Sequence, residues 1–273
     1  SEEIDTDPFG YTVSPSLGNA SVSWNDANTV ASISHDALTS ETTYTVQVTG
    51  AKDTAGNSLA SGSIPNPWSF TTADVTVPTV SSVSPSNGSS SIDVDENIVV
   101  TFSEAMNINS LSYTSSPDPG GWNVSWNSAN TVATFTHADF SEVTTYTFKV
   151  TEAEDQSGND MDSVFVLVFT TGDFTSPTIT AITPGNASTS VPVNQDIVIT
   201  FSEEITSSNF TYTVSPSLGN QSVSWNSEHT KVTISHANFA SSTSYTVQVT
   251  GAKDTAGNQL ASGSVPNPWS FTA

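Results

Sequence analysis

Residues 1–72 and 202–273 are two copies of one sequence, identical at about 50 of 72 positions. A diverged copy lies between them. Trp24, Trp126 and Trp225 mark one position in three copies, as do Tyr44, Tyr146 and Tyr245. His35, His137 and His236 mark another, and the run Asp53-Thr54-Ala55-Gly56-Asn57 recurs as Asp155–Asn159 and Asp254–Asn258. Self-similarity at a fixed period marks a modular array, and a unit of about 100 residues is the size of one domain. The array divides as 1–72, 73–172 and 173–273. Its linkers, 72–78 and 171–177, are too short and too rich in Thr and Pro to act as flexible Gly/Ser tethers. A semi-rigid string of domains is therefore expected. The first copy opens at the position of Ser202, so residues 1–72 hold no counterpart of residues 173–201.

Within each copy, short runs alternate apolar and polar residues and are bounded by Gly, Pro, Asn and Ser, the pattern of half-buried strands. The third copy predicts strands near 178–183, 196–201, 210–214, 222–225, 231–235, 244–250 and 268–272. Seven short strands with turn signals between them indicate an immunoglobulin-like sandwich. The fold class is all-β: tandem immunoglobulin-like β-sandwiches, seven strands each, with the first copy lacking its first two. Tyr245, Val247 and Val249 should point inward together, as should Trp269 with Phe271 and Val223 with Trp225. Tyr245 stands where a tyrosine corner would sit. Trp24, Trp126 and Trp225 alternate with Val and are expected in the core.

The charge balance narrows the partners. Against 27 Asp and Glu stand four basic residues, Lys52, Lys149, Lys231 and Lys253, for a formal charge of −23. Such a surface lacks the Lys/Arg footprint that nucleic acid and anionic lipid require, so no nucleic acid is expected as a partner. No apolar run approaches the ~20 residues of a helical membrane span, so no membrane insertion is expected. With no cysteine there is no disulfide framework, and each domain relies on its core.

The order of motifs resembles a known family. The middle copy runs Asp74…Pro78-Thr79, Pro85…Gly88, Phe102-Ser103-Glu104, Thr144-Thr145-Tyr146-Thr147, Asp155…Gly158-Asn159 and Phe169-Thr170-Thr171. The third runs Asp173…Pro177-Thr178, Pro184-Gly185, Phe201-Ser202-Glu203, Ser244-Tyr245-Thr246, Asp254…Gly257-Asn258 and Phe271-Thr272. This resembles the bacterial Ig-like domain first described in S-layer proteins, the SbsA type. The resemblance implies a repeated module of large surface or secreted proteins: S-layers, adhesins and the spacers of polysaccharide-degrading enzymes. Those hosts differ in role, so the family fixes fold better than function.

No residue pattern suits catalysis. There is no thiol nucleophile, and no HExxH, P-loop or zinc spacing. The repeated histidine keeps one structural position in every copy, as a turn or edge residue would. The Asp-x-x-Gly-Asn loop has two readings. As a turn, Asp caps backbone amides, Gly supplies positive φ and Asn tolerates the left-handed region. As a metal site, it offers the hard oxygen ligands that calcium takes. In a seven-strand sandwich the B–C and F–G loops lie at the pole that the incoming linker reaches. Asp74, Glu104 and Asp155 should therefore gather at the first junction, and Asp173, Glu203 and Asp254 at the second. Three carboxylates gathered without an arginine repel one another unless a cation sits among them. Trp122 has no counterpart in the other copies, where Ala20 and Gln221 stand. It follows Pro119-Gly120-Gly121 and is the candidate exposed aromatic for a glycan.

These readings lead to a non-enzymatic structural or adhesive segment of a long extracellular or cell-surface bacterial protein, a rod, spacer or fibre component. Its partners would be neighbouring repeats, another copy by strand complementation, or surface glycans. The alternative is a carbohydrate-associated accessory module of a secreted polysaccharide-degrading enzyme, acting through Trp122.

Overall fold

The computed structural model describes residues 2–273, and nearly all of its regular structure is antiparallel strand. The first copy supplies β1 (Ile4–Ser14), β2 (Ser21–Trp24), β3 (Ala31–Ser34), β4 (Thr43–Asp53) and β5 (Trp68–Thr71). The second supplies β6 (Val80–Ser84), β7 (Ile98–Phe102), β8 (Ser112–Ser116), β9 (Asn123–Trp126), β10 (Val132–Thr136), β11 (Thr145–Glu152) and β12 (Phe165–Thr170). The third supplies β13 (Ile179–Thr183), β14 (Ile197–Phe201), β15 (Thr211–Ser215), β16 (Ser222–Trp225), β17 (Lys231–Ser235), β18 (Ser244–Gly251) and β19 (Trp269–Thr272).

Packing divides the chain into two compact units. One runs through Ser84 and takes in Asn97–Thr136 and Thr147–Leu167; the other takes in Pro85–Glu96, His137–Tyr146 and Val168–Ala273. Residues of the middle copy thus belong to both.

In the second unit, a four-stranded sheet of order β13-β14-β17-β16 accompanies a three-stranded sheet of order β15-β18-β19. Lettering the seven strands A to G in chain order, this is the ABED and CFG division of an immunoglobulin constant-type domain. The two-residue period decides which side chains meet. Along β18, Tyr245, Val247 and Val249 are buried, while the residues between them face water. Ile197, Ile199 and Phe201 of β14 and Trp269 and Phe271 of β19 close the same core. The outward positions are hydroxyls that pair across strands, as Thr246 with Ser270 at 2.8 Å. A surface built of Ser and Thr explains how so acidic a chain carries so few charges of either sign.

Val223 departs from the expected inward set, being 44% exposed. It lies on β16, the outer strand of its four-stranded sheet, bonded on one side only. Trp225, on the same strand, is half-buried and stacks on Phe201, with ring centroids 6.0 Å apart.

In the first unit, the middle copy forms a sheet of order β6-β7-β10-β9, and the first copy a sheet of order β1-β4-β5 with a separate β2-β3 ribbon. Ile98, Val100, Ala133, Phe135 and Phe148 are fully buried. The expected tyrosine corner occurs in all three copies. The hydroxyls of Tyr44, Tyr146 and Tyr245 accept from the backbone N–H five residues upstream, at 3.1, 2.9 and 2.9 Å. Phenylalanine at Tyr245 keeps the ring and strands the Ala240 N–H. Tyr245→Phe is therefore expected to destabilise the third repeat by about 1–2 kcal/mol, read from hydrogen exchange over 244–251, the cost of a part-buried donor left unpaired.

Candidate metal centres

Each Asp-x-x-Gly-Asn run folds into a turn organised by its first residue. Asp155 Oδ1 accepts from the backbone N–H of Ser157 at 2.7 Å and of Asn159 at 2.9 Å, and Oδ2 accepts from Asn159 Nδ2 at 2.7 Å. Asp254 does the same with Gly257, Asn258 and Asn258 Nδ2, at 2.6, 2.8 and 2.7 Å. Gly158 and Gly257 sit at φ +87° and +102°, which glycine adopts without strain. The turn reading allows a left-handed asparagine, but neither Asn159 nor Asn258 takes a positive φ. The side-chain amide instead ties the turn to the incoming linker: Asn258 Nδ2 donates to the carbonyls of Asp173 and Thr175 at 3.1 and 3.2 Å. Asn159 Nδ2 reaches the Asp74 carbonyl at 3.4 Å.

That tie brings the linker carboxylate to the turn. The glutamate arrives from the end of the second strand, held by its neighbouring serine. Ser103 and Ser202 each accept a backbone N–H at 2.9 Å, from Thr79 and Thr178, and each donates its own N–H back to the same residue. Asp74, Glu104 and Asp155 each place a carboxylate oxygen within 4.8 Å of the others, and so do Asp173, Glu203 and Asp254. Both expected sets therefore come together, each within one compact unit. Asp155 and Asp254 are buried and the other four are half-buried.

The electrostatics are those of crowded anions. Burial pushes the Glu104 carboxyl above the usual glutamate value, and the charges of Asp155, Asp74 and Glu41 push it further. Glu203 is raised by burial, then by Asp173, Asp254 and Glu142. Burial also works to raise Asp155, but the donors of Asn159, Ser157 and Gly158 outweigh it and hold that carboxyl below the usual range. Asp74 is lowered chiefly by the Thr76 N–H. Among the described residues no lysine reaches either cluster at ion-pair distance. A carboxylate has about four lone-pair positions. Asp155 and Asp254 each spend three on their own turn and keep one for an outside partner. Oxygen ligands with spare lone pairs and excess negative charge fit a hard divalent cation such as calcium.

Residues of the preceding repeat, which sequence reasoning missed, also reach the linkers. Ser40 Oγ donates to Asp74 Oδ1 at 3.0 Å. At the equivalent position of the middle copy, Glu142 Oε2 accepts from Thr175 Oγ1 at 2.6 Å. Their shared place in the repeat, just before the tyrosine of the corner, is the signal that could have found them. Trp122 is half-buried rather than exposed. Its indole N–H donates to Asp118 at 2.8 Å, and its ring lies against Tyr113 and Phe148. The repeated histidine clasps two loops. His236 Nδ1 lies 2.7 Å from the Ala237 carbonyl and Nε2 3.1 Å from the Gln195 carbonyl.

A family model described as bacterial Ig-like domain matches residues 1–72, 74–171 and 173–273. A search of curated proteins finds no match. Among solved structures, the chain is similar to a Bacteroides ovatus mixed-linkage glucan utilization locus protein, SGBP-B, in complex with a mixed-linkage heptasaccharide. The identity is 13%, the TM-score 0.23, and the match covers all of this chain and 63% of that one. It is similar to the N-terminal part of the bacterial S-layer protein SbsC at 18% identity and TM-score 0.26, over 69% of this chain and 44% of that one. The immunoglobulin domains 1–4 of Sidekick-1 match at 13% identity and TM-score 0.33, over 96% and 72%. The chain thus spans less than two thirds of the length of the first two structures it matches.

Proposed function

The chain belongs to the bacterial Ig-like domain family, and on that premise we propose that it is a non-enzymatic segment of a bacterial surface or secreted protein. Its repeats act as a spacer or fibre component, of the kind the SbsA resemblance implies, and calcium at each linker fixes one repeat against the next. The observation that carries this is the duplicated cluster. The same three carboxylates converge twice, each time where a linker enters a repeat. A site built once in a cleft would suit a substrate; one built at every junction suits the joint. Glu104 and Glu203 are held above their ordinary values by neighbouring anions, a repulsion that a bound divalent ion would relieve.

Calorimetric titration tests this directly. The expected result is two calcium ions per chain, with Asp155→Asn and Asp254→Asn each removing one. No binding at millimolar calcium would overturn the junction reading. Screening on a glycan array tests the non-catalytic, non-lectin part. A robust signal abolished by Trp122→Ala would replace the spacer with the carbohydrate-associated module.

A further inference from the structure

The middle and third repeats close the outer edge of their last strand in the same way, with one difference in chemistry. In the third repeat, Asn186 Oδ1 accepts the Ser270 N–H at 3.1 Å, and the Ala187 N–H donates to the Ser270 carbonyl at 2.7 Å. In the middle repeat, Asn87 Oδ1 accepts the Val168 N–H at 2.8 Å, and the Gly88 N–H donates to the Val168 carbonyl at 2.6 Å. Each pair thus grips both backbone groups of a single strand residue. The next bond repeats as well: the Thr170 N–H donates to the Ser89 carbonyl and the Thr272 N–H to the Ser188 carbonyl, both at 2.9 Å. All of these partners lie within one compact unit. What changes is the residue after the asparagine, glycine in the middle repeat and alanine in the third. Asn87-Gly88 is the one Asn-Gly step in the chain.

An Asn-Gly step is where an asparagine side chain is most open to attack by its own backbone, because glycine has no Cβ to crowd the approaching amide nitrogen. The Gly88 nitrogen bonds to Asn87 Cγ and gives up its proton to a base in solvent. The Cγ–Nδ2 bond breaks and that nitrogen leaves as ammonia, closing a succinimide ring. Water then opens the ring at one carbonyl or the other. One opening gives aspartate. The other gives isoaspartate, in which the main chain runs through the side-chain carbons. Amide and water are consumed, carboxylate and ammonium are produced, and no oxidant or reductant takes part.

We propose that Asn87 is a deamidation site guarded by β12, and that its conversion records opening of the middle repeat. Val168 holds both reacting groups. To react, the Gly88 nitrogen must lose its proton and turn toward Asn87 Cγ. While its N–H is donated to the Val168 carbonyl and the Asn87 side chain is held by the Val168 N–H, it does neither. Asn87 and Gly88 are themselves exposed, so water and base reach them once the grip is released. β12 is the outer strand of its sheet, and a crossover held to an outer strand by a few exposed bonds belongs to the low-stability part of a domain. The isoaspartate product is one-way. It adds a methylene to the main chain and moves Gly88 out of register with Val168, so the crossover no longer closes as before. In the third repeat the Ala187 methyl hinders the same attack. The site needs no cation and does not depend on the spacer reading.

Ageing the full chain at neutral pH, followed by peptide mapping for aspartate and isoaspartate, tests this. Asn87 should convert at least about tenfold faster in the urea-unfolded chain than in the folded one, because reaction proceeds only from the opened population. In the folded chain its rate should rise with urea below the unfolding transition, and in unfolded chain Asn186 should lag behind it. The isoaspartate form should exchange the amides of 168–170 faster than the parent. Asn87→Asp, which keeps an acceptor for the Val168 N–H and an unaltered main chain, should protect them nearly as well as the parent does. Gly88→Ala should slow the reaction to the rate of Asn186. Ala187 at φ +60° shows that this backbone accepts alanine, and no atom lies within 4 Å of a Cβ placed at Gly88. Conversion as fast in the folded chain as in the unfolded one would remove the guard and overturn the proposal. So would an unfolded chain in which Asn87 reacts no faster than Asn186.

Discussion

Phe271→Ala is expected to destabilise the third repeat by about 3–5 kcal/mol, the usual cost of emptying a buried phenylalanine site. Phe70→Ala, the same substitution at the equivalent position of the first repeat, is expected to cost only about 1–2 kcal/mol, since a half-exposed ring gives up less buried area. Phe271 stacks on Tyr245 and meets Phe239 edge-on, with centroids 5.9 and 5.0 Å apart. Phe70 keeps the equivalent stack on Tyr44 at 5.8 Å. At the position of Phe239, however, the first copy has Leu38, and among the described residues β5 pairs with β4 alone. The two substitutions therefore share chemistry and strand sequence, and differ in how much of the ring is covered. A chain of several repeats does not unfold as one two-state unit, so hydrogen exchange read separately over 43–53 and 244–251 is the measurement to use. Equal losses in the two repeats would mean that the first core is closed in solution.

How much of this was legible in the sequence follows from the range of the forces involved. Strand positions are set by a two-residue period and by local turn residues, both visible in a window of ten. β16 and β17 fall where the alternation places them, and the other strands of the third repeat within a residue or so. The tyrosine corner is a local hydrogen bond over five residues and was equally readable. Val223 is exposed on the outer strand of its sheet, a position set by strand order, which no period encodes. Two preceding glycines make Trp122 look exposed in the sequence. Its burial depends on Tyr113 and Phe148, which reach it only through the packing of the sandwich. The acidic sets were found from topology alone, because strand order sends particular loops to one pole. The linker ties made by Asn159 and Asn258 are not legible in the sequence, since a turn motif explains those asparagines without them.

Calcium is expected to raise the stability of the array, and Glu203→Gln to reverse the sign of its own effect according to whether calcium is present. A ligand at one hundred times its dissociation constant adds about 2.7 kcal/mol per site, so chelation should lower the unfolding transition of each calcium-bound repeat by that order. Glu203 is the informative position because, among the described residues, its carboxylate accepts no hydrogen bond, whereas Asp254 holds its own turn together. In chelator, the folded state keeps the Glu203 proton to higher pH than the unfolded state does, where the usual value is 4.5. The native state then binds more protons, so the group's contribution to stability falls as pH rises through the raised value. Glu203→Gln removes that penalty. Without calcium the variant should be more stable than the parent above this window and equal to it below pH 4.5. With calcium the order inverts above the window, because the parent gains a ligand the variant lacks. It converges again at low pH, where protons compete with the metal for the carboxylates. Thermal unfolding at several pH values, with calcium and with chelator, gives all four arms. A variant less stable than the parent in both buffers would assign Glu203 an ordinary structural role and remove the cation from the junction.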